Sequence, residues 1–133
     1  TETGEVRVLR MVAAFDVGKA INPDMVKTQM EGGAVQGLST ALLEEIKLVN
    51  GKPLNPNFTD YRIATSIDAP TQIESIIVEV PQDDGPYGAR GIGEHAMVPT
   101  APAIANAVTD AVGVWIDQMP ITSQRVWEAM QKK

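Results

Sequence analysis

A glycine-rich segment in the second half of the chain places the strongest constraint on its fold. It spans residues 88–94 and reads Gly-Ala-Arg-Gly-Ile-Gly-Glu, between a segment typical of a strand and one typical of a helix. Glycine lets the backbone take positive φ angles and approach another group closely. The segment therefore predicts a tight turn that fixes Glu94 on a rigid scaffold, as a candidate catalytic acid or base. An exposed glutamate after an ordinary turn is the alternative, because short glycine motifs often match by accident.

The composition limits which partners and ligands the chain can have. It has 133 residues, which is the usual size of one domain, and a net charge of −6. This acidic balance does not favour nucleic acid or an anionic membrane surface. The chain contains no cysteine, which excludes disulfides and cysteine-ligated zinc or iron–sulfur clusters within it. No apolar run approaches the ~20 residues of a membrane span, and the lack of cysteine fits a reducing compartment such as the cytoplasm.

The hydrophobic pattern predicts one α+β unit over residues 1–133, with mixed or antiparallel strands and packed helices. Strands are expected over residues 5–15, 46–49, 52–54 and 72–80. In the first strand, Val6 and Val8 point one way and Leu9, Met11, Ala13 and Phe15 the other. A turn at residues 16–19 follows it, Asn50-Gly51 is a strong hairpin signal, and residues 55–71 look irregular. Phe58 and Tyr61 are the expected anchors of this irregular stretch against the core.

Three helices are predicted, over about residues 22–45, from residue 100 to Gly113, and from residue 122 onward. Their expected N-caps are Asn22, Thr100 and Thr122. Ala103, Ala107 and Ala111 form a small-residue face on the second helix, which predicts tight packing there. In the first helix, Gln29, Gly32, Gly33 and Gln36 fall on nearly one side. The interior glycines destabilise this helix, so either a ligand or a neighbouring helix is expected to come very close.

Other kinds of site find little support in the residues. His95 is the single histidine, and no paired histidine and carboxylate spacing accompanies it as a metal site would need. The chain has no G-x-S-x-G elbow, no dinucleotide fingerprint and no P-loop. Asp83-Asp84 is interpreted as a solvated acidic turn. Gln29 offers amide donors and an acceptor to a polar ring system, with a plain surface glutamine as the alternative.

The N-terminus indicates that more protein surrounds this segment. Thr1 is not a start methionine, and residues 1–5 look like a turn inside a hairpin. The strand expected over residues 5–15 then has nothing before it to pair with. The expectation is a C-terminal piece of something longer, with a split subunit or a processed chain as the alternative.

Several segments, taken in order, resemble the molybdopterin-binding large subunit of the xanthine dehydrogenase/aldehyde oxidase family. Each motif alone is modest, whereas the ordered set is specific and covers nearly the whole chain. The segments are residues 16–23 (DVGKAINP), 29–37 (QMEGGAVQG), 57–63 (NFTDYRI), 88–94 (GARGIGE) and 99–107 (PTAPAIANA). By this resemblance the chain is the C-terminal part of the second molybdenum-binding domain.

The resemblance implies a molybdenum hydroxylase that oxidises an aldehyde or an aromatic N-heterocycle with oxygen derived from water. The family's catalytic glutamate falls on Glu94, as general base, and its pterin-contacting glutamine falls on Gln29. Gly91, Ile92 and Gly93 would bring backbone close to the ligand sphere of the metal. Arg90 occupies a position that varies in the family and does not fix the substrate.

The implied cofactor is a molybdenum–pterin, as molybdopterin or its cytosine dinucleotide, with iron–sulfur and flavin groups only on other domains or subunits. The implied partners are the remainder of the molybdopterin-binding subunit, an iron–sulfur subunit, a flavin subunit as an optional addition, and a small-molecule substrate. The chain alone is expected to be inactive and marginally stable or associating. The periplasm is the alternative location for an assembled enzyme. A non-catalytic interaction domain on the same scaffold and an unrelated α+β ligand-binding domain are the competing hypotheses.

Overall fold

The chain combines helices and short strands in the expected α+β fold. The computed structural model describes residues 2–132. The elements are β1 (Arg10–Asp16), α1 (Pro23–Leu42), β2 (Leu48–Val49), β3 (Lys52–Pro53), β4 (Gln72–Val78), a 3-10 turn (Pro86–Gly88), α2 (Thr100–Val112) and α3 (Ser123–Gln131). None of these helices has the length and apolar character that would be needed to cross a bilayer.

The strands β1 and β4 form a parallel pair, with Arg10 opposite Gln72 and Asp16 opposite Val78. Side chains alternate along both strands, so that Met11, Ala13, Phe15, Ile73, Ser75 and Ile77 are half-buried. The strand that was predicted over residues 5–15 is shorter in the structure, because its pairing with β4 begins only at Arg10. Leu9 is exposed instead of joining the inward face.

The helix α1 begins and ends through local signals. The side chain of Asn22 accepts a hydrogen bond from the amide of Met25 at 3.1 Å, and Pro23 is the first helical residue. Both features match the prediction. The cap stabilises the start of the helix, because it satisfies an amide that has no partner within the helix. The helix ends at Leu42, three residues before the predicted Glu45.

Two apolar clusters lie along α1. The first joins its C-terminal half to α2 and α3 and contains Leu38, Ala41, Ile104, Ala105, Val108, Ile116, Ile121 and Val126. The second lies beneath the turn after β1 and contains Val17, Ala20, Val26, Met30 and Ala96. The second cluster supports the candidate site.

Close packing accounts for two of the glycines in α1. A Cβ on Gly33 would lie 2.8 Å from Cβ of Ala96, and one on Gly37 would lie 2.5 Å from Cβ of Thr100. The neighbouring chain therefore approaches the helix too closely for a larger residue. Gly32 differs, since no atom lies within 4 Å of the position of its Cβ.

Two predictions about packing and one about a helix cap are wrong. Phe58 is 79% exposed, so it does not anchor residues 55–71; Tyr61 is half-buried, and its hydroxyl donates to the carboxylate of Glu44. Thr100 does not cap α2, because its hydroxyl donates to the carbonyl of Ala96 at 2.7 Å and the cap position is Pro99. The alanine face of α2 (Ala103, Ala107, Ala111) is exposed, because the helix turns Ile104, Ala105 and Val108 to the core instead.

Three other local signals are confirmed. Asn50 and Gly51 both have positive φ angles, which allows the tight turn between β2 and β3. Thr122 caps α3 by accepting from the amide of Arg125 at 3.2 Å, and Gly113 ends α2 with φ of 70°. Residues 2–5 differ from the predicted hairpin turn, because Gly4 is buried against the backbone of α3; Thr1 lies outside the described residues.

Candidate functional site

Backbone hydrogen bonds join the loop from β4 to α2 to the turn that follows β1. The amide of Lys19 donates to the carbonyl of Gly88 at 2.7 Å, and the amide of Arg90 donates to the carbonyl of Val17 at 2.9 Å. Gly18 lies between these bonds with φ of 63°, and its Cβ would come within 2.4 Å of the carbonyl oxygen of Gly88. Only glycine fits at this position, so the turn fixes where the loop begins.

The carboxylate of Asp16 strengthens this junction. It accepts hydrogen bonds from the amides of Gly18 at 3.0 Å and Val80 at 3.2 Å, and it pairs with the guanidinium of Arg90 at 3.2 Å. The Gly18 amide is the main reason that the pKa of Asp16 is lowered; the Val80 amide and Arg90 act in the same direction, against a partial desolvation. Hydrogen bonds to the ionised form stabilise it in this way.

A second carboxylate ties the strand β4 to the start of α1. Glu79 accepts from the amide of Ala20 at 2.8 Å and pairs with the ammonium of Lys19 at 3.1 Å. These contacts lower the pKa of Glu79, with the Ala20 amide as the largest cause. Both ends of the turn at residues 16–19 are therefore held by acidic side chains.

Beyond the junction, one side chain anchors the loop and its two neighbours leave the surface open. Ile92 is half-buried and packs against the second apolar cluster. Gly91 and Gly93 are exposed, and a Cβ on either of them would have no atom within 4 Å. The loop therefore presents bare backbone to the outside on both sides of its apolar anchor.

Gln29 connects α1 to this loop. Its side-chain amide donates to the carbonyl of Gly93 at 2.7 Å, across 64 residues of sequence. The structure thus brings together the predicted residues Gln29, Gly91, Ile92, Gly93 and Glu94. Gly32 lies one helical turn after Gln29, where it leaves the adjacent surface uncovered.

Glu94 follows directly after the carbonyl that Gln29 binds. Its backbone carbonyl accepts from the amide of Met97 at 3.0 Å and begins the turn that leads into α2. Its side chain is exposed, and within residues 2–132 its carboxylate makes neither a hydrogen bond nor an ion pair. A carboxylate in this position is available to accept a proton from a bound molecule.

His95 has a packing role. Its ring stands edge-on to Phe15, with ring centroids 6.0 Å apart. Among the described residues, no group of three or more histidine, aspartate or glutamate side chains could hold a metal ion.

Asp16, Gly18, Glu79 and Arg90 position the loop, a role that the sequence analysis does not predict for any of them. The Gly18 position carries a local signal, because an aspartate two residues before a glycine is typical of a turn in which the carboxylate accepts from the amide two residues on. The contacts of Asp16 with the Val80 amide and of Glu79 with the Ala20 amide carry none, since these partners lie about sixty residues apart in sequence.

Comparisons with known proteins agree with one another. The sequence pattern of the molybdopterin cofactor-binding domain family matches residues 1–70. A putative xanthine dehydrogenase molybdenum-binding subunit from Escherichia coli K12 is 38% identical over 126 residues, which is 93% of this chain and 17% of the relative.

Two solved structures have the same fold over nearly the whole chain. Quinoline 2-oxidoreductase from Pseudomonas putida 86 superimposes with a TM-score of 0.88 at 34% identity, over 96% of this chain and 16% of that chain. The aldehyde oxidoreductase from Desulfovibrio desulfuricans superimposes with a TM-score of 0.89 at 34% identity, over 96% of this chain and 14% of that chain. This chain therefore spans less than a fifth of the length of each of these relatives.

Proposed function

Since this chain belongs to the molybdopterin cofactor-binding domain family, we propose that it forms one wall of the cofactor site of a molybdenum hydroxylase. In this proposal Glu94 is the general base, and Gln29, Gly91, Ile92 and Gly93 form the cofactor-binding surface. The observation that carries the proposal is the hydrogen bond between the Gln29 amide and the Gly93 carbonyl at 2.7 Å. It joins the helix and the loop so that Glu94 stands beside an open, glycine-lined surface.

The residues present fit a molybdenum–pterin group. Gly32, Gly91 and Gly93 leave space that a side chain at any of these positions would fill. The amide of Gln29 combines donors with an acceptor, as the mixed polar edges of a pterin require. When bound, the group supplies a metal centre that accepts electrons from the substrate.

The chain's own residues hold the base in place and move the proton. Ile92 anchors the loop in the apolar cluster, and the junction at residues 16–19 fixes its start. The carboxylate of Glu94 then takes a proton from the attacking oxygen nucleophile, which derives from water. General-base catalysis of this kind typically contributes about 10²–10⁴-fold to a rate.

The relatives support a substrate class. Their names refer to xanthine, quinoline and aldehydes, so we propose an aldehyde or an aromatic N-heterocycle as the substrate. The remainder of the molybdopterin-binding subunit completes the pocket, and the chain is inactive without it. Iron–sulfur groups lie on other domains or subunits, since this chain has no cysteine to ligate a cluster. We propose that a flavin, where present, also lies on another domain or subunit.

The first test is the molybdenum and pterin content of the complex that purifies with this chain from its native source. One molybdenum and one pterin per copy of the chain is the expected result. An intact complex that lacks both groups, and that does not take them up on reconstitution, would contradict the proposal. The chain would then be a non-catalytic interaction domain on the same scaffold.

The second test replaces Glu94 with glutamine in the assembled enzyme. Glu94→Gln is expected to lower turnover of aldehydes or N-heterocycles by at least about 10²-fold while the molybdenum content stays unchanged. Asp110→Asn is the matched control, because it makes the same carboxylate-to-amide change at an exposed position in α2. Near-normal turnover in Glu94→Gln would remove Glu94 from the role of base.

A further inference from the structure

The aromatic contact between His95 and Phe15 involves the residue that directly follows the candidate base. The two ring centroids are 6.0 Å apart, and the ring planes stand at 74° to each other, which is an edge-to-face arrangement. Aromatic rings favour this geometry, because the positive edge of one ring meets the negative face of the other. The contact therefore links the position after Glu94 to the C-terminal part of β1.

Packing is what orients the ring of His95. The ring is half-buried, and within residues 2–132 its nitrogens make neither a hydrogen bond nor an ion pair. Phe15 is also half-buried and packs against the second apolar cluster. The position of the His95 ring thus depends on Phe15, which is itself held by the core.

Two successive residues of β1 hold the loop at two separate points. Asp16 pairs with the guanidinium of Arg90 at 3.2 Å, before the glycine-lined surface. Phe15 contacts His95, beyond that surface. Both contacts start from the end of a strand whose ladder with β4 makes it rigid, so β1 sets the position of the loop on both sides of the open surface.

The main chain of Glu94 lies between fixed neighbours. On one side, the carbonyl of Gly93 accepts from the Gln29 amide at 2.7 Å. On the other side, the ring of His95 packs on β1, and the carbonyl of Glu94 accepts from the amide of Met97 at 3.0 Å. The side chain of Glu94 is exposed, so these main-chain anchors decide where its carboxylate stands.

We propose that His95 is a positioning residue, which acts through its contact with Phe15 to hold Glu94 where it can take a proton. A general base must lie within hydrogen-bond reach of the proton that it removes, and a displacement of about 1 Å can cost about 10²-fold in rate. The ring contact limits such a displacement, because it restricts the main chain directly after Glu94. The role of Glu94 as the base rests on the proposed function, whereas the contact between the rings does not.

Two substitutions of His95 in the assembled enzyme separate the ring contact from the chemistry of the imidazole. His95→Ala is expected to lower kcat about tenfold, within the range for a misplaced base, and to change KM less than about twofold. His95→Phe keeps a ring that can pack on Phe15 and is expected to restore most of kcat. A kcat as low in His95→Phe as in His95→Ala would overturn the proposal, because the polar nitrogens would then be what matters.

Hydrogen exchange of the Met97 amide is a readout that does not depend on turnover. This amide donates to the carbonyl of Glu94, so its exchange reports local opening there and is expected to be about tenfold faster in His95→Ala. Where Glu94→Gln lowers turnover, an unchanged exchange rate or an unchanged kcat in His95→Ala would overturn the proposal. Near-normal turnover in Glu94→Gln would instead refute the proposed function, and faster exchange in His95→Ala would still support the contact.

A double-mutant cycle tests whether the two rings act as a pair. Phe15→Leu keeps an apolar side chain on the core and is expected to lower kcat as His95→Ala does, while the double variant is no worse than either single variant. Losses that simply multiply in the double variant would overturn the proposal. Val126→Ala is the control for general destabilisation, because Val126 is 2% exposed and lies in the first apolar cluster. It is expected to lower stability and leave kcat unchanged; a loss of kcat equal to that of His95→Ala would also overturn the proposal.

Discussion

At the scale of single residues, the carboxylate of Asp16 joins its own turn to two positions that are distant in sequence. It holds the amides of Gly18 and Val80 and the guanidinium of Arg90. Together these contacts fix where the loop with Glu94 leaves the sheet. Asp16 is therefore a positioning residue for the candidate site.

The lowered pKa of Asp16 predicts a dependence of stability on pH. The folded state holds this pKa below its ordinary value of 3.8, mainly through the Gly18 amide. The corresponding stabilisation is fully present above pH 4 and is lost as the pH falls through the lowered pKa. In Asp16→Asn, Oδ1 can still accept from both amides but the charge is gone. This variant is expected to show a flatter fall in stability below pH 4.

Urea unfolding at a series of pH values from 6 to 2 measures this effect. Asp110→Asn serves as the control, because its side chain is exposed on α2 and should leave the profile of the parent protein unchanged. A profile for Asp16→Asn that matches the parent below pH 4 would contradict the ionised role of Asp16.

At the scale of elements, the contact between α1 and the start of α2 depends on small residues. Gly33 lies against Ala96 and the amide of Met97, at 2.8 and 3.2 Å from where its Cβ would be. The sequence left helix packing and ligand approach as equal explanations for the glycines of α1. Packing explains Gly33 and Gly37, whereas Gly32 faces open space on the side of Gln29.

The pair Gly33→Ala and Gly32→Ala tests this distinction. Gly33→Ala is expected to destabilise the fold by about 1–3 kcal/mol, because α1 must move away from residues 96–97. Gly32→Ala is expected to stabilise it by about 0.5–1 kcal/mol, since alanine is the better helix former and meets no atom. Denaturant unfolding followed by circular dichroism gives both values, and equal effects of the two changes would contradict the packing account.

At the scale of the whole molecule, the chain covers its core incompletely. A groove of about 910 Å³ between residues 4–15 and α2 is open, and the apolar side chains of Val12, Ile76 and Val78 are exposed on the outer face of the β1–β4 pair. Exposed apolar patches of this kind mark surfaces that bind other protein or aggregate. We expect further protein to cover these surfaces.

The 133-residue chain on its own is therefore expected to self-associate. Sedimentation velocity should show an average mass that rises with concentration, and thermal unfolding should be broad and depend on concentration. The edge of β1 that has no strand partner within residues 2–132 and the exposed apolar side chains on the outer face of the sheet are the physical reason. A monomer that unfolds in a sharp, concentration-independent transition would contradict this expectation.

The sequence by itself determined the local features. The Asn22 and Thr122 caps, the Asn50-Gly51 turn and the Gly113 helix end each depend on the conformational preferences of a few adjacent residues, and each is confirmed. The ordered motifs also identified the family correctly. The glycines of residues 88–94 predicted a turn, but they did not predict which distant residues this loop contacts.

Only the tertiary structure decided which distant residues meet. It paired β1 with β4 in parallel, joined Gln29 to Gly93, placed Asp16 beside Arg90, and left Phe58 and the alanine face of α2 exposed. Local preferences contain no information about these contacts, because each partner is set by how whole elements pack. Exposure is likewise a property of the assembled surface, so an apolar side chain such as Phe58 can have every local sign of an anchor and still face outward.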